Sequence, residues 1–248
     1  MDRLDFNHML MVKVIGNELY LAPLDEAKMH RILDIGTGTG VWAMQMGEEF
    51  PNTEIIGNDL SAIQPTWVPP NVKFEIDDVE SPWLNSGKYD FIFCRNTNPG
   101  GWVEFQEYNL RCMSDDGTLT DKHFTPQWED KFFEACKLVN REPNPGPKLE
   151  NWVKEAGGFV NVAHQKFKVP MGDWPKDPHY KECGLINLIQ ILDGLEGFTL
   201  RLFTGVLGWT KEEVLVFLAE VRRELKSQVF HAYLELHVVY AQKPETDE

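Results

Sequence analysis

Gly36, Gly38 and Gly40 close the run Arg31-Ile32-Leu33-Asp34-Ile35-Gly36-Thr37-Gly38-Thr39-Gly40, and Asp59 follows nineteen residues after the last of them. Glycines at this spacing let the backbone turn through positive φ and let a ligand lie almost against the main chain. The helix pattern behind them, Val41-Trp42-Ala43-Met44-Gln45-Met46, would offer free N–H groups at its N-terminus to a polar or anionic ligand. Asp59 ends a second apolar strand, Glu54-Ile55-Ile56-Gly57-Asn58-Asp59, where an acid is placed to take both hydroxyls of a ribose. Together these residues point to the binding of a nucleoside cofactor. A tight strand–helix turn with no ligand is the plainer alternative.

The dinucleotide fingerprint is Gly-x-Gly-x-x-Gly, whereas the spacing here is Gly-x-Gly-x-Gly with Asp34 two residues before the first glycine. That combination is similar to motif I of the class I S-adenosylmethionine (SAM) methyltransferases, and it favours SAM over NAD. A third segment, Val72-Lys73-Phe74-Glu75-Ile76-Asp77-Asp78, reads as a strand ending in two acids. Ligands of parallel α/β sheets bind outside the carboxyl ends of the strands, so Asp77 or Asp78 could accept from an adenine amino group, or either could be a solvated turn acid.

The resemblance extends beyond motif I. The stretches Asp2-Arg3-Leu4-Asp5-Phe6-Asn7-His8, 33–42, Asn58-Asp59-Leu60-Ser61-Ala62-Ile63-Gln64-Pro65, Trp67-Val68-Pro69-Pro70-Asn71-Val72 and Gly100-Gly101-Trp102-Val103-Glu104-Phe105-Gln106-Glu107 resemble the fungal methyltransferases related to the secondary-metabolism regulator of the velvet complex. The resemblance implies an α/β, Rossmann-like class I methyltransferase sheet with helices on both faces. It implies a cofactor set of Asp34, Gly36, Thr37, Gly38, Gly40, Asp59, Leu60, Asp77, Asp78 and Arg95. It also implies SAM as cofactor and a small molecule of specialised metabolism as methyl acceptor. Methyl transfer asks mainly for alignment and water exclusion, because the sulfonium is already activated. Where the acceptor needs a general base, the candidates are His8, His123 and Glu107, each of which has a plain structural reading as well.

The elements that must position these groups follow from spacing. Residues 1–30 read as a lead-in or cap with a short apolar ribbon, Leu19-Tyr20-Leu21, and residues 31–248 as the methyltransferase-like domain. Strands are expected near 31–35, 54–58, 72–77 and 89–94, with a helix between the first two. Helical spacing returns after Thr125-Pro126, again at 149–156 before Gly157-Gly158, and at 180–204 and 210–227. Residues 159–169 read as a strand and 231–242 as the last one, a closing antiparallel pair. The apolar stripe of Val214, Phe217, Leu218 and Val221 reads as core, Trp42 and Trp102 as core beside the glycine turn, and Trp67 as packing a loop over the sheet. The apolar stretch 185–202 could form a lid or a dimer face.

One junction resists this order. The fourth strand candidate, Tyr89-Asp90-Phe91-Ile92-Phe93-Cys94, and the fifth, Trp102-Val103-Glu104-Phe105-Gln106, are joined only by Arg95-Asn96-Thr97-Asn98-Pro99-Gly100-Gly101. Parallel neighbours need a crossover of a dozen or more residues, and these turn-forming residues cannot hold a helix. The resemblance implies a helix between strands 4 and 5 that is missing here, so strand five runs antiparallel as a hairpin, or a stretched linker returns across the sheet face, or a deletion or misassembled gene model leaves a chain that folds poorly.

Composition narrows the rest. A chain of 248 residues with 42% hydrophobic residues is long enough to bury one large α/β core. No apolar run is expected to reach membrane-spanning length, no basic-apolar leader is expected, and a cytoplasmic or nuclear setting is expected. Cys94, Cys112, Cys136 and Cys183 are scattered without a Cys-x-x-Cys pair, so free thiols and no metal are expected. A net charge of −15 argues against direct nucleic-acid binding, which needs clustered Lys and Arg. A protein partner is compatible with it. Two rival functions remain open: a non-methylating enzyme on the same fold, such as a cyclase or isomerase, and a regulatory partner protein.

Overall fold

A computed structural model describes residues 3–78, 88–93 and 100–245 of the chain. The elements are α1 (Arg3–Val14), β1 (Arg31–Ile35), α2 (Val41–Glu49), β2 (Glu54–Asp59), β3 (Val72–Ile76), β4 (Phe91–Phe93), β5 (Trp102–Met113), α3 (Phe124–Leu138), α4 (Leu149–Ala156), β6 (Val160–Pro170), α5 (Pro178–Gly205), α6 (Lys211–Ser227) and β7 (Tyr233–Gln242). The strands form a seven-stranded sheet in the order β3-β2-β1-β4-β5-β7-β6. β3, β2, β1, β4 and β5 are mutually parallel, with Leu33 facing Ile56 on one side and Ile92 on the other. Just before β5 and just past β7, Gly100 N donates to Lys243 O and Lys243 N to Gly101 O, so the two neighbouring strands run antiparallel. This is the mixed α/β, Rossmann-like sheet expected.

The chain divides into two compact units. One comprises Ile15–Gln106, Leu149–Gln165 and Val238–Glu248. Its core packs Trp42, Ala43 and Met46 of α2 against Ile32, Ile55, Val72 and Phe91 of the strands. That burial explains why α2 forms with no side-chain cap at Gly40: a short helix draws its stability from the apolar face it buries. Leu149 and Val153 of α4 pack on Val103, Val239 and Ala241.

The other unit comprises Met1–Val14, Glu107–Lys148 and Lys166–His237. Val214, Leu218, Val221 and Leu225 of α6 meet Leu188, Leu195 and Phe203 of α5 in its core, which matches the stripe read from spacing. Asp177 caps α5 through His179 N and Tyr180 N. Thr210 and Glu213 form a reciprocal capping box on α6. Glu224, buried on α6, accepts from Phe124 N, Thr125 N and the Thr125 hydroxyl, so a carboxylate from one helix satisfies the first turn of another.

Several expectations are corrected. The lead-in contains a helix, α1, whose Leu10 and Val14 are buried. β4 begins at Phe91 rather than Tyr89, and β5 extends to Met113 rather than Gln106. β5 is parallel to β4, with Phe91, Ile92 and Phe93 opposite Trp102, Val103 and Glu104, so the hairpin is excluded. Trp67 is 88% exposed and packs nothing over the sheet. α5 is a helix long and apolar enough by composition to cross a membrane, contrary to the reading of no such run. Its Cys183, Leu188, Leu195 and Phe203 are buried within its unit. Cys112, Cys136 and Cys183 are free and buried, and Cys94 lies outside the described residues.

Candidate functional site

The glycine loop between β1 and α2 has positive φ at all three glycines: 71° at Gly36, 56° at Gly38 and 81° at Gly40. Only glycine adopts this region without strain. Gly40 is doubly constrained, because a Cβ there would stand 2.2 Å from the Phe74 ring of β3. Gly57 on β2 has the same role below the loop, where a Cβ would collide with the Thr37 hydroxyl and Phe74. A Cβ at Gly36 would meet nothing within 4 Å; this is the open side of the turn.

The loop is tied down by the strand beside it. Gly36 N and Thr37 N both donate to Asn58 O at 2.9 Å. Gly38 N donates to Asp59 Oδ2 and Ser61 N to Asp59 Oδ1, each at 2.9 Å. The Gln64 amide donates to Gly38 O and Ser61 O, bridging the loop to the segment that follows β2. Asp59 is thus a structural clamp whose two oxygens each keep lone pairs for further donors.

Beneath the loop, Asp34 is buried and accepts from the Thr37 hydroxyl. Burial raises its pKa from 3.8 to about 7, the Thr37 hydrogen bond opposes the rise and the charge of Asp59 adds to it. Asn58 Oδ1 is buried with no partner among the described residues, where a buried acceptor is ordinarily paired. Asp77 N donates to Asp59 O, which brings the end of β3 to the end of β2. The Asp77 carboxylate accepts from Asp78 N, and both acids are exposed. Leu60 is 73% exposed beside them. Arg95 lies outside the described residues.

Open space at Gly36, an unpartnered buried Asn58 oxygen, spare lone pairs on Asp59 and an uncapped α2 fit a nucleoside cofactor. Asp34, Gly36, Thr37, Gly38, Gly40, Asp59, Leu60, Asp77 and Asp78 all belong to one unit. The three candidate bases belong to the other. His123 is the N-cap residue of α3, with its ring against Thr120 and edge-on to Phe230, which is a structural setting. His8 is half-buried on α1. Glu107 has an exposed side chain on β5, and its carboxyl is raised by the partial loss of water around it.

Asn58, Gln64 and Glu104 were given no individual role from the sequence. Glu104 is fully buried on β5, accepting from Leu21 N and Ala22 N at 2.7 Å and from Gln106 Nε2. Burial raises its carboxyl above the ordinary range. The signal was present: a lone acid between Val103 and Phe105 in an apolar strand must find donors or stay neutral.

A model described as a methyltransferase domain matches residues 11–98. Methyltransferase pytC of Aspergillus terreus is 44% identical, over 98% of this chain and 80% of its own length. The alignment runs over 262 positions, more than the 248 residues here, so the relative has positions that this chain lacks. The secondary metabolism regulator LAE1 of Cochliobolus heterostrophus is 31% identical over 98% of this chain and 87% of its own length. Among solved structures, phosphoethanolamine N-methyltransferase 2 of Haemonchus contortus superposes with a TM-score of 0.51 at 17% identity. That match covers 97% of this chain but only 53% of the longer one, and it speaks for the fold alone. With the motif I loop, the parallel strand order and these relatives in agreement, the chain belongs to the fungal family of class I SAM-dependent methyltransferases that includes pytC and LAE1.

Proposed function

We propose that this protein transfers the methyl group of SAM to a small molecule of fungal specialised metabolism. The observation that carries the reading is the glycine loop: three positive-φ glycines, clamped by Asp59 and open at Gly36. Gly36, Thr37, Gly38 and Gly40 would shape the methionine and ribose side, with Asp34 beneath them. Asp59 and Leu60 would hold the ribose, and Asp77 or Asp78 the adenine. When bound, SAM supplies an electrophilic methyl on a sulfonium, so the chain's own task is to orient two molecules and exclude water. The names of the relatives, a methyltransferase and a secondary metabolism regulator, support both halves of this reading.

Calorimetric titration of the purified protein with SAM tests it, with Asp59→Ala as control. Micromolar binding that the variant loses is expected. A well-folded protein that ignores SAM would favour the regulatory-partner reading instead.

A further inference from the structure

The unit that holds α1, α3, α5 and α6 encloses a cavity of about 280 Å³, lined chiefly by apolar and aromatic side chains. Trp128 and Phe132 of α3 stack there with ring centroids 5.6 Å apart, and Phe198, Ile191 and Leu225 face the same space. Its size sits at the lower edge of the roughly 300–1,000 Å³ typical of ligand pockets.

Nearly every polar group on the wall is already committed. Asn187 Nδ2 donates to Pro170 O and Asn187 Oδ1 accepts from Gln190. Trp128 Nε1 donates to the Thr199 hydroxyl, Thr125 to Glu224, and Glu129 accepts from Cys112 N. The Arg3 guanidinium lies over the Phe198 ring. Tyr108 is different: its hydroxyl is buried and has no partner among the described residues. A buried hydroxyl without a partner costs free energy unless something supplies one. Burial also keeps the phenol and the Cys112 thiol protonated far above their ordinary ranges. The phenol and the thiol therefore stay neutral, while the Arg3 guanidinium is spent on the Phe198 ring and the Glu129 carboxylate on Cys112 N and Arg111.

We infer that this cavity binds an uncharged, flat, aromatic molecule of two or three rings, whose oxygen or nitrogen pairs with the Tyr108 hydroxyl. The binding does not depend on the methyltransferase reading.

The probes are 2-naphthol, 2-methylnaphthalene of the same shape without the hydroxyl, and 1-decanol, titrated by fluorescence or calorimetry against the intact protein. In the wild type, 2-naphthol should bind about tenfold more tightly than 2-methylnaphthalene, a ratio worth about 1.4 kcal/mol. Tyr108→Phe should erase that tenfold preference while its melting temperature holds or rises, since the change removes an unsatisfied hydroxyl. Ile191→Trp, which fills the space, should abolish binding of both ring compounds. Equal affinity for the two naphthalenes, tighter binding of 1-decanol, or a preference that survives Tyr108→Phe would overturn the inference. SAM titrated on the same samples separates the two readings. SAM binding without naphthol binding sinks the cavity alone, and naphthol binding without SAM binding sinks the transferase reading alone.

Discussion

Replacing Asp34 by Asn isolates the charge beneath the glycine loop. Asp34 is 3% exposed, and burial outweighs its Thr37 hydrogen bond to bring its pKa from 3.8 to about 7. The unfolded chain releases this proton near pH 4 and the folded one near pH 7. Between those values the folded state holds more protons, so stability falls as pH rises. At 1.36 kcal/mol per pH unit, the rise corresponds to roughly 4 kcal/mol, an upper bound on what the ionised carboxylate costs above pH 7. Asn keeps the shape and an oxygen for the Thr37 hydroxyl but never ionises. Asp34→Asn should therefore match the wild type near pH 4 and gain on it steadily, reaching a few kcal/mol by pH 8. Urea unfolding followed by tryptophan fluorescence from pH 4.5 to 8 measures this. Because Asp59 contributes to the rise, Asp59→Asn should move the wild-type slope to lower pH. Profiles for Asp34→Asn and wild type that run parallel across this range would refute the reasoning.

Three further perturbations test the surrounding structure. Gly40→Ala combines a positive φ of 81° with a Cβ overlapping Phe74; a loss of about 2–4 kcal/mol is expected, seen as a lower melting temperature together with weakened SAM binding. Glu104→Leu leaves Leu21 N and Ala22 N without their acceptor and should cost about 2–6 kcal/mol in urea unfolding, about 1–3 for each N–H left unpaired, whereas Glu104→Gln, which keeps one acceptor oxygen, should cost less. Glu224→Ala removes the carboxylate that satisfies the first turn of α3 and should cost about 1.5–3 kcal/mol per charged hydrogen bond lost, with faster amide exchange at Phe124 and Thr125 as the local readout.

The parts of the site that local chemistry dictates were legible. Gly36, Gly38 and Gly40 announce positive φ wherever they fold, and β1, α2 and β2 follow from apolar periodicity around them. What sequence could not show is which lone pairs are already used. Asp59 was read as a ribose acid, yet its oxygens also hold Gly38 N and Ser61 N, a double duty set by tertiary proximity. Trp67 illustrates the opposite error: a tryptophan between prolines suggests packing, but it is exposed, and burial depends on what the fold brings above it. α1 was overlooked although Phe6, Leu10 and Val14 recur every four residues. Polar Asn7, His8 and Lys13 among its apolar residues blur the stripe that identifies an amphipathic helix.

The junction between β4 and β5 shows why a short linker need not cost the site. Among the described residues the β4–β5 ladder pairs Phe91, Ile92 and Phe93 with Trp102, Val103 and Glu104, and it is not the sole contact that places β5. Other contacts hold the strand: Gly100 and Gly101 bond Lys243 beyond β7, Gln242 Nε2 donates to Gly100 O, and Glu104 binds Leu21 N and Ala22 N. A parallel register that the linker could not enforce is thus imposed from the far side of the strand and from the chain before β1. The cofactor loop depends on a different set of neighbours. It is braced by β2, which pairs with β1 over five residues and with β3 over five more, and these three strands lie together at the opposite end of the strand order from β5, β7 and β6. The β4–β5 junction therefore bears on the sheet where several contacts hold it and not on the bracing of Gly36, Gly38 and Gly40. If that is right, Glu104→Leu should lower stability far more than it lowers SAM affinity measured below the melting transition, while Gly40→Ala should lower both. Equal losses of SAM affinity in the two variants would show that the loop leans on β5 after all.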